Sequence, residues 1–195
     1  MKWLLISLLS ASAFALQPHS ASYTLSMLGL EIATEKRVLS KNNGIYHYQE
    51  KAQTTGLAKT IKDYQIDAES TFTISESGIQ AQHYQLFERD GDSVKKDINI
   101  QLTPPQIDPL SLFLALAHAL ENNPNQRDFY FSVNDGKKIE QHHYQQIPSD
   151  GSGLIKIINT EKQIEGYFDK NRHYLPVHIN KKQFSYQLKT LKMLD

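Results

Sequence analysis

Histidine is the residue type that most invites a chemical interpretation of this sequence. The chain has eight histidines, and two of them, His142 and His143, are adjacent. Adjacent side chains of a β-strand point to opposite faces of the sheet, so this pair cannot bind one metal ion from a regular strand. The H-E-x-x-H spacing of zinc hydrolases does not occur. We therefore assign no metal-ligating residue and expect the histidines to be polar positions at the boundaries of strands.

A nucleophilic or carboxylate site is no better indicated. Gly151-Ser152-Gly153 lacks the G-x-S-x-G spacing of a nucleophile elbow and is typical of a turn. The cluster Glu88-Arg89-Asp90-Gly91-Asp92 lacks the later glutamate that completes an EF-hand calcium loop, and it predicts a solvated hairpin tip. The chain has no cysteine, which excludes a thiolate nucleophile, cysteine-ligated zinc and an iron–sulfur cluster. No catalytic residue and no cofactor is assigned, and a hydrolase with an unrecognised carboxylate or serine site stays one hypothesis.

The charge balance argues against nucleic acid as a partner. Lysine and arginine together number 21, and aspartate and glutamate also number 21, so the formal net charge at pH 7 is +0. Such a chain has no global positive field to attract a polyanion. Hydrophobic residues make up 39% of the chain and charged residues 22%, a composition typical of a folded domain rather than a disordered segment.

The start of the sequence has the pattern of a cleavable secretion signal. One positive charge precedes an uncharged apolar run that closes on an A-x-A cleavage site at residues 13–15. This run is shorter than the roughly 20 residues that cross a bilayer, so we expect no stable membrane span after cleavage. Leu16 stands where a lipoprotein would have cysteine. The sequence thus predicts a signal peptide over 1–15 and a single β-rich periplasmic domain over 16–195 that is not a lipoprotein.

Most of the remaining sequence alternates between apolar and polar residues, which is the pattern of half-buried strands. Asn43-Gly44 and Asp135-Gly136 predict hairpin turns, because these residue pairs adopt positive φ readily. A change of the apolar face near Gly29 predicts a β-bulge there. The spacing of the segments predicts a mainly β fold, a curled antiparallel sheet or open β-barrel of about ten strands.

One segment breaks this alternation and predicts an α-helix. Asp108 is a good N-cap, Pro109 is favoured in the first helical turn, and residues 110–120 carry no acidic or basic side chain apart from one histidine. Pro124 marks the end. Apolar residues lie almost all round the predicted helix, at about residues 109–122, which indicates burial on most sides. The sheet is therefore expected to enclose this apolar helix.

Several short motifs in the chain resemble those of one family. They are Tyr23 with Gly29, Gly44-x-Tyr46 followed by Gly56-Leu57, Asp108-Pro109-Leu110-Ser111, an acidic turn at Asp169, and Leu175-Pro176-Val177. On these motifs the chain resembles the secreted bacterial family known as domain of unknown function 3108. The resemblance extends over nearly all of the predicted mature chain and implies a β-rich, single-domain protein of the cell envelope. It implies no particular reaction, since the family has no established activity.

The apolar helix and the aromatic sheet could fill a core or line a site for an apolar ligand. The leading hypothesis is a soluble, periplasmic, non-enzymatic protein that binds a lipid or another apolar small molecule in the concave face of the sheet. The candidates for the lining are Leu112, Phe113, Leu116, Leu120, Phe129 and Phe131. An alternative is an envelope-biogenesis module that binds a partner protein through an exposed sheet edge. The sequence leaves the ligand, the oligomeric state and the strand order open.

Overall fold

One large β-sheet makes up most of the protein. The computed structural model describes residues 16–148 and 151–194. Within these residues, thirteen strands form a single sheet. The strands are β1 (His19–Met27), β2 (Leu30–Asn42), β3 (Ile45–Thr54), β4 (Tyr64–Ser75), β5 (Gly78–Asp90), β6 (Ser93–Gln101), β7 (Gln106–Ile107), β8 (Asp128–Asn134), β9 (Ile139–Ile147), β10 (Ile155–Asn159), β11 (Ile164–Asp169), β12 (Leu175–Lys181) and β13 (Phe184–Met193). The helices are α1 (Gly56–Ile61), α2 (Leu112–Asn122) and a short 3-10 helix (Lys170–Arg172).

The strand order is β6-β5-β4-β3-β2-β1-β13-β12-β11-β10-β9-β8-β7. Neighbouring strands are antiparallel except β7 and β8, which are parallel. The first strand lies in the middle of the sheet, where β1 pairs with β2 on one side and with β13 on the other. The two edges are β6 and β7, so the sheet does not close into a continuous barrel.

The sheet curls until strands from its two ends face each other. Gly136, in the turn between β8 and β9, lies against the side chain of Ile98 on β6, although β6 and β8 are at opposite ends of the strand order. Gly136 also has φ +84°, so glycine allows both the turn and its close approach to β6. The mainly β, open-barrel fold expected from the sequence is confirmed, with thirteen strands rather than about ten.

The turn signals in the sequence locate hairpins correctly, with one correction. Asn43 and Gly44, with φ of 49° and 82°, connect β2 to β3 as predicted. Leu28 and Gly29, with φ of 51° and 81°, form the tight turn between β1 and β2. The change of apolar face at Gly29 is this turn rather than a bulge at Gly29 itself. The β1–β2 ladder has its irregularity a few residues away, where Leu25 and Ser26 pair with Ala33 and Glu31 and Ile32 is the extra residue.

The segment after β3 contains a helix that the sequence does not predict. Alternation favours a strand that starts at Ile61, but Gly56–Ile61 form α1 and β4 begins only at Tyr64. Thr55 N donates a hydrogen bond to Ile32 O at 3.0 Å, which holds the start of α1 against β2. None of the residues of α1 is buried, and the helix has only 6 residues, which is too short for a period of 3.6 residues to be recognised in the sequence.

Helix α2 is present, but it begins at Leu112 rather than at residue 109. Asp108 explains the difference. Its Oδ1 accepts a hydrogen bond from Ser111 N at 2.8 Å, and its Oδ2 accepts from Ser70 Oγ at 2.6 Å. These bonds hold residues 108–111 in a turn ahead of the helix, so Asp108 caps the turn and anchors it to β4.

Inward-facing side chains change from apolar to charged along the strands. On β2, Leu39 is fully buried, and the next inward positions towards the start of the strand are the buried Arg37 and Glu35. Glu50 of β3 lies opposite Arg37 in the β2–β3 register. We call the interior around Glu35, Arg37 and Glu50 the charged end, and the interior around α2 the helix end.

The two ends lie far apart along the strands. Ile79, near the start of β5, lies at the helix end beside α2. Glu88, near the end of β5, lies at the charged end and pairs with Lys96 of β6. The register places Glu35 level with Glu88, and it places Arg37 and Glu50 level with Leu86. At about 3.3 Å per residue, the separation from Ile79 along β5 is therefore roughly 23 to 30 Å. One sheet thus positions two chemically distinct sites.

Candidate functional sites

A cleft of about 1290 Å³ lies at the helix end. Its walls come from the tip of the β4–β5 hairpin, the loop before β7, one side of α2, and β8. These parts are far apart in sequence and meet because the sheet curls around α2. The principal apolar residues of the lining are Ile74, Ile79, Ala115, Ala119, Phe129 and Phe131.

Helix α2 turns its small and polar residues to this cleft. Ala115 and Ala119 lie one helical turn apart, so the helix surface is recessed where it meets the open space. His118 and Asn122 line the cleft beside them, and Asn122 Nδ2 donates a hydrogen bond to His118 O at 2.8 Å. Polar and apolar residues are about equally numerous in the whole lining, which gives the cleft an amphipathic surface.

The six lining residues predicted from the sequence divide into two groups. Phe129 and Phe131 of β8 line the cleft. The other four are not among the residues that line it: Leu112, Phe113, Leu116 and Leu120. All six belong to the hydrophobic core or pack against it, and Phe129 is itself only 1% exposed, so Phe131 is the one of the two β8 phenylalanines with a partly exposed side chain. The structure therefore brings the β8 phenylalanines to the cleft together with the alanine face of α2. Whether any of the six contacts a ligand stays a prediction.

Arg37 lies at the centre of the charged end. Its Nε donates a hydrogen bond to Glu35 Oε1, and its Nη2 lies 3.9 Å from Glu50 Oε2. The side chains of Arg37 and Glu35 are only 9% and 1% exposed. The guanidinium carbon is 5.2 Å from the centre of the Tyr23 ring. Tyr48 also has a side-chain hydrogen bond with Arg37. The buried Arg37 Nη1 has no well-aligned hydrogen-bond partner among the described residues.

The charged end holds one fixed ion pair and one group that titrates near neutrality. Burial acts against the charge of Arg37, but Glu35 and other neighbours raise its pKa well above the ordinary value. Burial and, to a smaller extent, Glu35 raise the pKa of Glu50 from 4.5 to about 7, although Arg37 and Lys181 act in the opposite direction. Burial also raises the pKa of Tyr186, on the nearby β13, to about 12.

No family model matches the chain. No curated protein matches it either. Among solved structures, the crystal structure of a β-barrel-like protein of domain of unknown function DUF1849 from Brucella abortus is similar, with a TM-score of 0.47 and 12% sequence identity. The match covers 92% of this chain and 99% of that chain. The resemblance to domain of unknown function 3108 stays an interpretation of short motifs.

The adjacent histidines have separate surroundings, as expected for neighbours on a strand. His143 stacks on Tyr130 with 4.6 Å between ring centres, and its Nε2 lies 2.8 Å from Asp128 Oδ1. His142 Nδ1 instead lies 3.5 Å from Tyr144 Oη. Over residues 16–148 and 151–194, no group of three or more His, Cys, Asp or Glu side chains is placed to hold a metal ion.

The other sequence motifs lie in turns or have structural surroundings. Ser152 lies in the exposed loop between β9 and β10. Residues 91–92 form the β5–β6 turn, but Glu88 is only 6% exposed and its Oε2 lies 2.6 Å from Lys96 Nζ. The prediction of a solvated tip is therefore wrong for Glu88. Neither helix of the described chain is long and apolar enough to cross a membrane.

The charged end has no sequence motif, because its members are dispersed along the chain. Ala33, Glu35, Arg37 and Leu39 are alternate residues, and all four are buried. The one local signal of such a site is the presence of opposite charges at the inward positions of β2, where Glu35 and Arg37 lie between apolar residues. Its third member, Glu50, comes from the next strand and becomes recognisable only once the β2–β3 register is known.

Proposed function

We propose that this protein is a non-enzymatic binding protein of the bacterial cell envelope that holds an apolar or amphipathic small molecule in the cleft at the helix end. The observation that carries the proposal is the cleft itself, with an apolar wall formed by the alanine face of α2 and by Phe129 and Phe131. Its volume of about 1290 Å³ is ample for a lipid-sized molecule.

The construction of the cleft supports binding rather than a packing defect. The residues behind it, Leu116 and Leu120, have fully buried side chains, so the open space does not extend to that side of α2. The open space lies where α2 has alanine in place of leucine, at positions 115 and 119. Small residues that recede beside the partly exposed Phe131 ring create a slot with an apolar surface, with the buried Phe129 behind it, while Asn122 and His118 supply polar groups at its side.

The proposed location is the periplasm. It rests on the signal-like pattern of residues 1–15, which lie outside the described residues. An aqueous compartment between two membranes is also a place where an apolar molecule needs a protein to carry it. The test is the mass of the protein recovered from a periplasmic fraction. Cleavage after Ala15 supports export, and an uncleaved chain in the cytoplasm contradicts it.

The ligand proposal is tested by filling the cleft without disturbing the core. Ala119 is partly exposed and lines the cleft, so Ala119→Trp places an indole in the open space. Ala58→Trp on α1 is the matched control, because Ala58 is also a partly exposed helical alanine but lies outside the cleft. The probe is a fluorescent long-chain fatty acid, titrated into each protein after any co-purified molecule has been extracted.

The expected result is saturable binding by the wild type and by Ala58→Trp, with loss of binding in Ala119→Trp at unchanged circular dichroism. Native mass spectrometry of the untreated protein should show a co-purified small molecule that Ala119→Trp lacks. A clean apo mass, together with no saturable binding or with equal binding by all three proteins, would overturn the proposal.

A second candidate function is the binding of a partner strand at the β6 edge. The observation that favours it is the open sheet, in which β6 is an edge strand with Val94 55% exposed. Lys95, Lys96 and Asp97 place charges on this edge, which disfavours nonspecific pairing and restricts partners to complementary strands. The test is a photo-crosslinker at position 94. Capture of one defined envelope protein would favour this role, provided that the protein purified from the same cells carries no small-molecule ligand.

A further inference from the structure

The most exposed large apolar side chains of the described chain lie on two neighbouring elements, the start of β2 with the turn before it, and α1. The exposed fractions are 85% for Leu28, 72% for Leu30, 84% for Leu57 and 88% for Ile61. Within the described chain, no other large apolar side chain is more than 69% exposed, the value for Tyr130. We call the four aliphatic residues the apolar tip. Single exposed apolar residues are common on protein surfaces, but a group of them marks an interaction site.

The apolar tip is formed by loops that are neighbours at one end of the sheet. Helix α1 lies against β2, and Thr55 N, just before α1, donates a hydrogen bond to Ile32 O at 3.0 Å. On its other side, the β1–β2 turn adjoins the β12–β13 turn, because Met27 pairs with Phe184. The strand order therefore makes α1, the β1–β2 turn and the β12–β13 turn consecutive at this end.

The apolar tip lies at the end of the sheet opposite the cleft. Strand β4 follows α1 and begins at Tyr64, whereas Ile74, near the other end of β4, lines the cleft. At about 3.3 Å per residue, the distance between these two positions along the strand is roughly 30 Å. The tip is therefore separate from the cleft, and an inference about it goes beyond the proposed function and can fail independently of it.

Helix α1 has no buried side chain that would account for its formation. It has only six residues, Gly56–Ile61, and so short a helix is marginal in water unless it packs against another surface. Leu57 and Ile61 are one helical turn apart and share one face of the helix, yet this face is exposed. A surface that covers these two side chains would supply the packing that α1 lacks in water.

The hydrogen bonds around α1 favour a lipid surface as this cover. A backbone polar group without a partner is costly in contact with hydrocarbon, so a segment that enters a membrane surface must satisfy its polar groups internally. Thr60 Oγ1 donates to Leu57 O at 2.7 Å, and Lys62 N donates to Ala58 O at 2.9 Å. Thr54 Oγ1 donates to Lys62 O at 2.7 Å. Carbonyl groups in and after α1 thus have partners within the protein.

The charges at this end fit a lipid surface that is anionic. The protruding segments 27–30, 55–62 and 181–183 contain four lysines and no acidic residue. Lys59 Nζ lies 4.0 Å from Asp63 Oδ1, and Lys62 Nζ lies 3.8 Å from Asp90 Oδ2, so both exposed ammonium groups are at the limit of ion-pair distance. The acidic β5–β6 turn, with Asp92, lies on the far side of α1 from the β1–β2 turn. The four lysines are Lys59, Lys62, Lys181 and Lys182.

We propose that the apolar tip is a membrane-docking site whose four aliphatic side chains enter the interfacial region of an anionic lipid bilayer, while the adjacent lysines contact the lipid phosphates. A fluid bilayer adapts to side chains that protrude singly from a turn and from a helix, whereas a protein partner would need a matching groove for each of them. Insertion of apolar side chains, combined with attraction of lysines to anionic lipids, is an established mode of binding to membrane surfaces. Lysine also suits the boundary, because its apolar stem lies along the inserted surface while its charge stays in the polar region.

The test is flotation of the protein with vesicles of phosphatidylethanolamine and phosphatidylglycerol. Ile61→Gln should weaken binding about tenfold, the value of burying one aliphatic side chain, and adding Leu57→Gln should weaken it further. Ile45→Gln is the matched control, since Ile45 is also exposed but lies at the other end of the sheet, and it should change binding by less than about twofold. The N-terminus of each protein is checked by mass, because an uncleaved apolar run before residue 16 would itself bind lipid.

The lysines are tested with vesicles of phosphatidylcholine alone. The wild type should bind these vesicles more weakly, and Lys59→Gln/Lys62→Gln should lose the preference for the anionic vesicles. Equal binding of the wild type to both kinds of vesicle would overturn the role assigned to the lysines.

Three outcomes would overturn docking at the apolar tip. The first is a wild type that does not float with anionic vesicles, and the second is equal binding by Ile61→Gln and Ile45→Gln. The third is a wild type that sediments as a dimer without vesicles while Ile61→Gln sediments as a monomer, because a second copy then covers the tip. Fatty-acid binding by Ile61→Gln should be unchanged, and Ala119→Trp should still bind vesicles, so a failure of one proposal is distinguishable from a failure of the other.

Discussion

The helix end and the charged end share one sheet but rely on different physics. At the helix end, Leu116 and Leu120 are fully buried in a continuous apolar core. At the charged end, Arg37 is buried with Glu35 beside it and Glu50 opposite. Apolar burial stabilises a fold in proportion to area, whereas a buried ion pair loses to desolvation much of what it gains from attraction. The apolar core at the helix end is therefore explained directly by its contribution to stability. The buried ion pair at the charged end is better explained by specificity or binding.

The strongest test of this contrast is a charge placed at the helix end. Leu116→Asp puts a carboxylate at a position with 0% exposure in an apolar environment. We expect a loss on the order of 5 kcal/mol or more, so that the variant shows no cooperative unfolding transition. Circular dichroism with urea titration measures this. Leu116→Met is the control and should cost less than about 1.5 kcal/mol. A folded Leu116→Asp protein would show that α2 does not form the core.

The next largest effect is expected from breaking the ion pair at the charged end. Arg37→Met leaves Glu35, whose side chain is 1% exposed, without its partner. We expect a loss of about 3 to 4 kcal/mol in the free energy of unfolding. The double variant Glu35→Met/Arg37→Met should recover most of this loss, because no buried charge of the pair remains. Urea denaturation decides the outcome, and an unrecovered loss in the double variant would mean that the pair contributes mainly through packing.

A pH series examines the charged end without removing the arginine. The pKa of Glu50 is raised from 4.5 to about 7 in the folded protein, so the folded state holds the proton more tightly than the unfolded state. Stability must therefore fall as pH rises from below 4.5 to above 7, by up to about 3 kcal/mol from this group. Glu50→Gln should lack this part of the pH dependence. The comparison uses the denaturation midpoints of the wild type and of Glu50→Gln at about pH 5 and about pH 8. The same change of midpoint with pH in both proteins would contradict the raised pKa of Glu50.

The smallest effect is expected from the polar contact that anchors α2 at the helix end. Ser70→Ala removes the hydrogen bond that Asp108 Oδ2 accepts from Ser70 Oγ at 2.6 Å. Asp108 is fully buried and keeps its bonds from Ser111, so the expected cost is about 1 to 2 kcal/mol. Ser75→Ala, at an exposed position on the same strand, should change stability by less than about 0.5 kcal/mol. Similar costs for both serines in thermal denaturation would remove Asp108 from its anchoring role.

Local sequence signals predicted the parts of the fold that are local in origin. Asn43-Gly44 marks a hairpin because both residues have positive φ there, and the uncharged run before Pro124 marks α2 because a buried helix needs apolar residues on all sides. The start of α2 was misplaced because the carboxylate of Asp108 bonds to Ser70, a residue 38 positions earlier that the local pattern does not include. Pro109 favours the start of a helix, but the tertiary contact of Asp108 with Ser70 holds Pro109 in the turn before α2.

The sites were harder to predict because each combines residues from distant strands. The cleft joins Ile79 of β5 to Ala119 of α2 and Phe129 of β8, and only the curl of the sheet brings them together. Leucines of α2 were the natural candidates for a lining, since the sequence shows how apolar they are but not which side of the helix faces open space. Ala115 and Ala119 carry that information, and it becomes visible only when the packing of α2 is known.

The position of β1 has a consequence for the order in which the sheet can be completed. Strand β1 pairs with β13, and Leu194 N donates a hydrogen bond to Pro18 O at 2.9 Å. The strand pair in the middle of the sheet therefore consists of the first and the last strand of the described chain. As the chain emerges, during synthesis or export, the hairpins of β1 to β6 become available early, yet one edge of β1 has no partner until β13 emerges. For most of that time a nine-residue strand edge is open, and a chaperone or a second copy of the chain could pair with it.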